Sequence, residues 1–139
     1  MDTVAVGLFY KKGKVLMEKR PDNEDNYAGL WAFPGGHQEK VEKIEKTLVR
    51  EMQEELGVKI KKHQKIGVFT DIDPTSGKKF KHIAFICLKW SGRPKQSPFS
   101  MALKWFKIKD ISKKYSSKVD IAILEKTLEQ IKAKKIKLE

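Results

Sequence analysis

Thirteen residues, Ile44 to Leu56, constrain this chain more than any other segment. Ile44, Leu48, Met52 and Leu56 recur at every fourth position with Val49 beside them, and Gly57 follows directly. That spacing predicts an amphipathic helix that stops at the glycine. The opposite face carries Glu51, Glu54 and Glu55 at relative positions 0, 3 and 4. At about 100° per residue they share one arc roughly 100° wide. An apolar stripe of this kind needs a partner surface to be buried against.

The rest of the chain supplies that surface. Val4–Tyr10 and Val15–Lys19 read as strands around the turn Lys11-Lys12-Gly13-Lys14, and Val58–Ile72 as extended chain. Asp73-Pro74-Thr75-Ser76-Gly77 is a turn leading into a buried return strand, Phe80–Trp90. Lys104–Lys107 is a short strand, and a last helix is predicted from about Lys118 to Lys135. Arg20–Gly36, rich in Pro, Asn and Gly, reads as loop. Strands with helices at separated points give an α/β or α+β fold, one mixed sheet between helices. The 139 residues carry no repeat, low-complexity tract or linker, so a single domain over residues 1–139 is expected.

Hydrophobic content of 40% beside 35% charge is globular rather than disordered. No apolar run approaches the roughly 18–20 residues of a membrane helix, and the first residues lack the pattern of a signal peptide. The one cysteine, Cys87, lies in the apolar run Ile83–Leu88 and reads as a buried structural thiol. A cytoplasmic location is expected. The net charge of +12 raises the question of nucleic acid. Of the 30 basic residues only Arg20, Arg50 and Arg93 are arginine, and the lysines are spread along the chain among Glu and Ile. This fits a general lysine bias better than a binding stripe. One regional feature survives: Thr75–Lys109 holds nine Lys or Arg and no acid, a positive field for an anionic substrate if it borders the site.

Three glutamates on one helix face repel one another unless they are simply solvated or hold a cation. Their context favours the cation. Arg50 stands four residues before Glu54 and is placed to orient it. Upstream, Phe33-Pro34-Gly35-Gly36 reads as a tight turn able to present backbone carbonyls. Carboxylates plus a carbonyl make an all-oxygen site for Mg2+, with Mn2+ as a substitute. His37, His63 and His82 lack the mutual spacing of a zinc site.

Gly36, five residues, Glu42, seven residues, then Arg50-Glu51-Met52-Gln53-Glu54-Glu55-Leu56-Gly57-Val58 fills every fixed position of G-x5-E-x7-R-E-U-x-E-E-x-G-U, where U is aliphatic. The chain therefore resembles the Nudix hydrolases, most of all their MutT-like branch. The resemblance implies a mixed sheet sandwiched between helices (αβα). It implies Glu54, Glu55 and the Gly35 carbonyl as metal ligands, and Glu51 as a ligand or general base. Arg50 would orient the carboxylates and Glu42 support the site. Arg20 matches a family arginine that contacts substrate phosphate. His37 would lie in a loop near phosphate, beside Gly36. For Trp31 and Phe33, stacking on a base and packing in the core are both open.

Two departures stand out. Relatives usually carry glycine just before the first box glutamate, whereas Val41 precedes Glu42 here. Many relatives also draw an acid from a later loop, yet this chain has none between Asp73 and Asp110. Relatives that act on oxidised purine nucleotides carry an acidic pair before the late Trp-Phe, and Phe99–Phe106 lacks it.

The resulting expectation is Mg2+-dependent cleavage of a phosphoanhydride in a nucleotide, first a (deoxy)nucleoside triphosphate giving monophosphate and pyrophosphate. ADP-ribose or nucleotide-sugar hydrolysis is the second reading, motivated by Pro74. An RNA-binding or cap-processing module is the alternative from another class, motivated by the charge. A monomer or homodimer with a small nucleotide substrate is expected, without membrane association.

Overall fold

The computed structural model describes residues 1–23 and 26–138. Its strands are β1 (Asp2–Lys11), β2 (Lys14–Lys19), β3 (Trp31–Ala32), β4 (Gly35–His37), β5 (Lys59–Ile72), β6 (Lys79–Ser91) and β7 (Ala102–Lys107). The helices are α1 (Ile44–Leu56) and α2 (Lys118–Lys132). The sheet runs β3-β2-β1-β6-β5, with β4 added on β1 and β7 on β2. β1 and β6 are parallel while their other pairings are antiparallel, so the sheet is mixed.

The two faces of β1 and β6 explain why a helix lies on each side. Side chains alternate across a strand. Ala5, Phe9, Phe85 and Cys87 meet Leu48, Met52 and Leu56 of α1. Val6, Leu8, Ala84 and Ile86 meet Val119, Ile123 and Leu124 of α2. Strands buried on both faces read as continuous apolar runs, which is how these two appear in the sequence. Cys87 is fully buried on the α1 side, and burial drives its thiol above the usual range, consistent with a structural thiol.

α1 spans the predicted residues and ends at Gly57, which adopts the left-handed conformation at φ 71°. α2 is shorter than predicted. Lys134 turns to φ 61°, and Lys135 N–H bonds back to the Gln130 carbonyl, closing the helix after Lys132.

The expected Arg20–Gly36 loop contains two short strands instead. Trp31–Ala32 pairs with β2, and Gly35–His37 pairs antiparallel with β1, Val6 opposite Gly35 and Val4 opposite His37. Gly35 and Gly36 therefore do not make a tight turn. Their lack of a side chain serves close approach. A Cβ on Gly35 would come within 2.9 Å of the Ala5 carbonyl oxygen, and one on Gly36 would take the space of the Glu51 carboxylate.

Val41 explains the departure from glycine noted in the sequence. Its φ is 56° and its side chain is fully exposed, so a β-branched residue sits in a conformation glycine adopts freely. Val41→Gly is expected to stabilise the protein by about 1 kcal/mol, from relief of left-handed strain less the added chain entropy. Thermal unfolding measures this; a Tm equal to or below that of the parent would show the strain is absorbed elsewhere.

Candidate active site

A cavity of about 330 Å³ opens where β1, β2, β4, α1 and the start of α2 meet. Its acidic lining is Glu18 from β2, Glu51 and Glu55 from α1, and Asp120 from α2. Arg20 is the one arginine or lysine among the described residues lining it. Phe33, Gly35, Gly36 and His37 form one wall, and Tyr27, Phe80, His82 and Phe99 contribute rings. Of the expected site residues, Arg20, Phe33, Gly35, Gly36, His37, Glu51 and Glu55 thus come together.

Arg50, Glu42 and Glu54 form a separate cluster beside the cavity. The Arg50 guanidinium donates to both oxygens of Glu42 at 2.8 and 3.0 Å and to Glu51 Oε1 at 2.9 Å. It also donates to Glu54 Oε2 at 3.3 Å and to the His37 carbonyl at 3.1 Å. Glu42 is further held by the Thr47 hydroxyl at 2.7 Å and the Glu39 N–H at 3.2 Å. Hydrogen bonds from Arg50 and Thr47 hold its carboxyl down at about 2, so it stays ionised. Arg50 orients Glu51 as well as Glu54, which helix spacing alone did not indicate. Glu54 does not line the cavity, and its side chain is 60% exposed. Among the described residues, no three acidic or imidazole groups already converge as a finished cation cage.

The donor chemistry nevertheless fits a hard divalent cation. Glu55 is hydrogen-bonded to Glu18 and lies near Glu51; burial first, then the Glu18 charge, pushes its carboxyl up to about 9. Glu55 Oε2 is buried and accepts no hydrogen bond. Crowded oxygens of this kind are stable when they face a positive charge, and carboxylates with backbone carbonyls suit Mg2+ or Mn2+.

Several cavity residues were not found from the sequence. Glu18 follows Val15-Leu16-Met17 and looks like the polar end of a strand. Asp120 stands three residues after Ser117 and reads as a helix cap; indeed its N–H donates to Ser117 Oγ at 3.2 Å. Its carboxylate also accepts from the Ser117 hydroxyl at 2.5 Å and from the Phe33 N–H at 3.4 Å, across 87 residues of chain. Tyr27 and His82 share a 3.1 Å hydrogen bond. Burial pushes the His82 imidazole down to about 4, so it is neutral at pH 7. The segment carrying Tyr27 is pinned to the β5–β6 turn by Asp73, which accepts from the Tyr27 N–H at 2.7 Å and the Ser76 N–H at 2.8 Å. Pro74 is exposed in that turn and does not line the cavity. Trp31 packs edge-on against Phe106 at 4.9 Å, away from the cavity, which leaves Phe33 as its lining ring of the two. The acid-free stretch gives the cavity Phe80, His82, Phe99 and Ser100 but no lysine.

Burial raises Asp120 to about 7 against the pull of Ser117, Phe33 and Arg20. A carboxyl raised in the folded state opposes folding once the unfolded chain ionises. That penalty is absent below about pH 4 and grows as pH rises to about 7. The stability of the parent relative to Asp120→Asn should therefore decline steadily over that window in denaturant titrations. A gap independent of pH would contradict it.

The geometry is that of an αβα sandwich with a glutamate-bearing helix beside an acidic cavity. Residues 1–126 match the family model described as the NUDIX domain, and the chain belongs to the Nudix hydrolase family. It is 30% identical over 109 residues to the 8-oxo-dGTP diphosphatase of Buchnera aphidicola subsp. Schizaphis graminum (strain Sg), covering 78% of each chain. It is 43% identical over 58 residues to the CTP pyrophosphohydrolase of Escherichia coli (strain K12), a match that spans only 42% of either protein. Among solved structures, the MutT NUDIX hydrolase from Burkholderia pseudomallei superposes with a TM-score of 0.82 at 26% identity, over 90% of this chain and 96% of that one. No helix among the described residues is long and apolar enough to cross a membrane.

Proposed function

We propose that this chain hydrolyses a nucleoside triphosphate to a nucleoside monophosphate and pyrophosphate, with Mg2+ or Mn2+ as cofactor. One observation carries the reading: among the described residues, the cavity sets Glu18, Glu51, Glu55 and Asp120 against Arg20 as its one arginine or lysine. A polyphosphate entering such a cavity is repelled unless cations accompany it, so the acids are suited to a phosphate ester only as cation holders. The relatives named as a diphosphatase and a pyrophosphohydrolase of nucleoside triphosphates support the same substrate class.

In this reading Glu51, Glu55 and the Gly35 carbonyl would hold the cation, together with Glu54 from beside the cavity. When bound, such an ion would supply neutralisation of phosphate charge and a lowered pKa for the attacking water. Arg50 fixes the Glu51 and Glu54 carboxylates, and Glu42 fixes Arg50. Arg20 contacts phosphate, while Phe33 and His37 border the bound nucleotide. Asp120 presents its carboxyl to the nucleobase, a role that an acidic pair before Trp105 does not fill here. The cavity volume lies at the lower end of the roughly 300–1,000 Å³ common for ligand sites, which suits one nucleotide better than a two-headed conjugate.

The test is a Mg2+-dependent survey of nucleoside triphosphates, modified triphosphates and ADP-ribose with identification of products. Pyrophosphate release from a triphosphate is expected. Cleavage of ADP-ribose to AMP and ribose 5-phosphate, with no triphosphate turned over, would replace this reading with the nucleotide-conjugate one.

A further inference from the structure

We infer that Phe99 stacks on the nucleobase of the bound nucleotide and contributes affinity that depends on the base. The inference rests on the nucleotide reading above and assigns a base contact to the turn between β6 and β7.

Ser97-Pro98-Phe99-Ser100 builds that turn. The Ser100 N–H donates to the Ser97 carbonyl at 3.2 Å, which leaves Pro98 and Phe99 at the corner positions. Serine and proline are favoured at the first two places of such a turn. Ser97 is buried, and its hydroxyl accepts from the Phe99 N–H at 3.1 Å. The Ser100 hydroxyl donates to the Ser97 carbonyl at 3.2 Å, and the Gln96 amide to the Ser100 carbonyl at 3.0 Å. Directly after, the Met101 N–H donates to the Lys19 carbonyl at 2.8 Å, tying the turn to β2 beside Arg20. The backbone of Phe99 is thus held in place at the cavity.

The fold makes little use of its ring. Phe99 is 82% exposed and belongs to neither apolar cluster of the core. Isolated exposed hydrophobic residues are ordinary on protein surfaces. This one lines the cavity, whose other rings, Tyr27, Phe33, Phe80 and His82, are buried in its walls. The phosphates and their cations call for Arg20 and the acids, and a phenyl ring offers them nothing. The nucleobase is the part of a nucleotide with a flat aromatic face, and it gains from an aromatic surface whatever its hydrogen-bonding edge. At about 330 Å³ the cavity is small for a ligand site, so a nucleotide fills it to the mouth, where the exposed Phe99 stands. Stacking uses the face of the base and leaves its edges free for polar groups such as Asp120.

The test uses the full chain with Mg2+ and compares the parent with Phe99→Ser, Phe99→Leu and Phe99→Tyr. KM and kcat are measured for ATP, CTP, GTP and UTP. Calorimetry gives affinities for the corresponding nucleoside monophosphates and for ribose 5-phosphate. Phe99→Ser should raise KM about tenfold for the triphosphates turned over, within the range of one base stacked on one aromatic ring. Its kcat should change far less, as expected when binding common to ground and transition states is lost. Phe99→Tyr should keep the parent KM, whereas Phe99→Leu, with apolar bulk but no flat face, should follow Phe99→Ser. The monophosphates should bind more weakly to both, while ribose 5-phosphate, which has a phosphate and no base, should not distinguish the variants from the parent. The Tm of Phe99→Ser should stay within about 2 °C of the parent, because an exposed ring is all that is removed. Parent-like KM in Phe99→Ser or Phe99→Leu, or equal weakening of ribose 5-phosphate, overturns the stacking assignment and leaves the nucleotide reading intact. A parent that turns over none of the triphosphates and binds none of the monophosphates overturns the nucleotide reading itself, and the assignment with it.

Discussion

Glu55→Gln should lower kcat by about 10²–10⁴-fold while the protein still folds, the range seen when a group acting on transition-state charge or proton transfer is removed. The substitution preserves the shape of a side chain at the cavity wall and removes only its charge. Metal-free stability should not fall, because the Glu55 carboxyl, raised to about 9, is already protonated near neutrality, and the glutamine amide can likewise donate to Glu18. Glu54→Gln should also lose most of its activity, through the Arg50 cluster rather than the cavity wall, since its carboxylate rests on Arg50 at 3.3 Å. Steady-state kinetics at saturating Mg2+ with circular dichroism check both. Undiminished turnover in the two variants together would mean the cation is held elsewhere.

Arg50→Met should damage both fold and activity. The guanidinium binds Glu42 in a bidentate fork and reaches Glu51, Glu54 and the His37 carbonyl as well. Removing it leaves three glutamates close together with no shared counter-charge. Breaking a buried ion pair costs about 3–5 kcal/mol. A quarter of the Arg50 side chain is solvent-exposed, and Glu54 more than half, so the expectation is reduced to about 2 kcal/mol. At roughly 4 °C per kcal/mol for a chain of this size, Tm should drop by about 8 °C. Lysine should not rescue it, because one ammonium cannot reproduce the fork to Glu42 and the bond to Glu51.

The pH dependence has a definite sign. Glu42 titrates at about 2 in the folded protein, below its usual 4.5, so its pairing with Arg50 stabilises fully above about 4.5. The contribution is lost as pH falls toward 2, and the stability gap between parent and Arg50→Met should narrow over that interval. Denaturant unfolding at a series of pH values measures it; a gap independent of pH would show that Arg50 acts mainly through packing.

The sequence by itself determined α1 to the residue, the arc of Glu51, Glu54 and Glu55, the stop at Gly57 and the long strands. Each depends on the period of a helix or strand, which is set by local backbone geometry and is visible within a few residues. It also brought Gly36 and Glu42 into the same constellation through their spacing. Tertiary structure alone decided which charges share a cavity. It placed Gly35 and Gly36 in a strand, because β1 offers them pairing partners and Ala5 and Glu51 leave no room for a side chain. It left Glu54 outside the cavity lining, on Arg50, and brought in Glu18 from β2 and Asp120 from α2. Those two reach the cavity through contacts between residues far apart in the chain, as Phe33 and Asp120 are, and no short-range pattern encodes which distant side chain an element will meet.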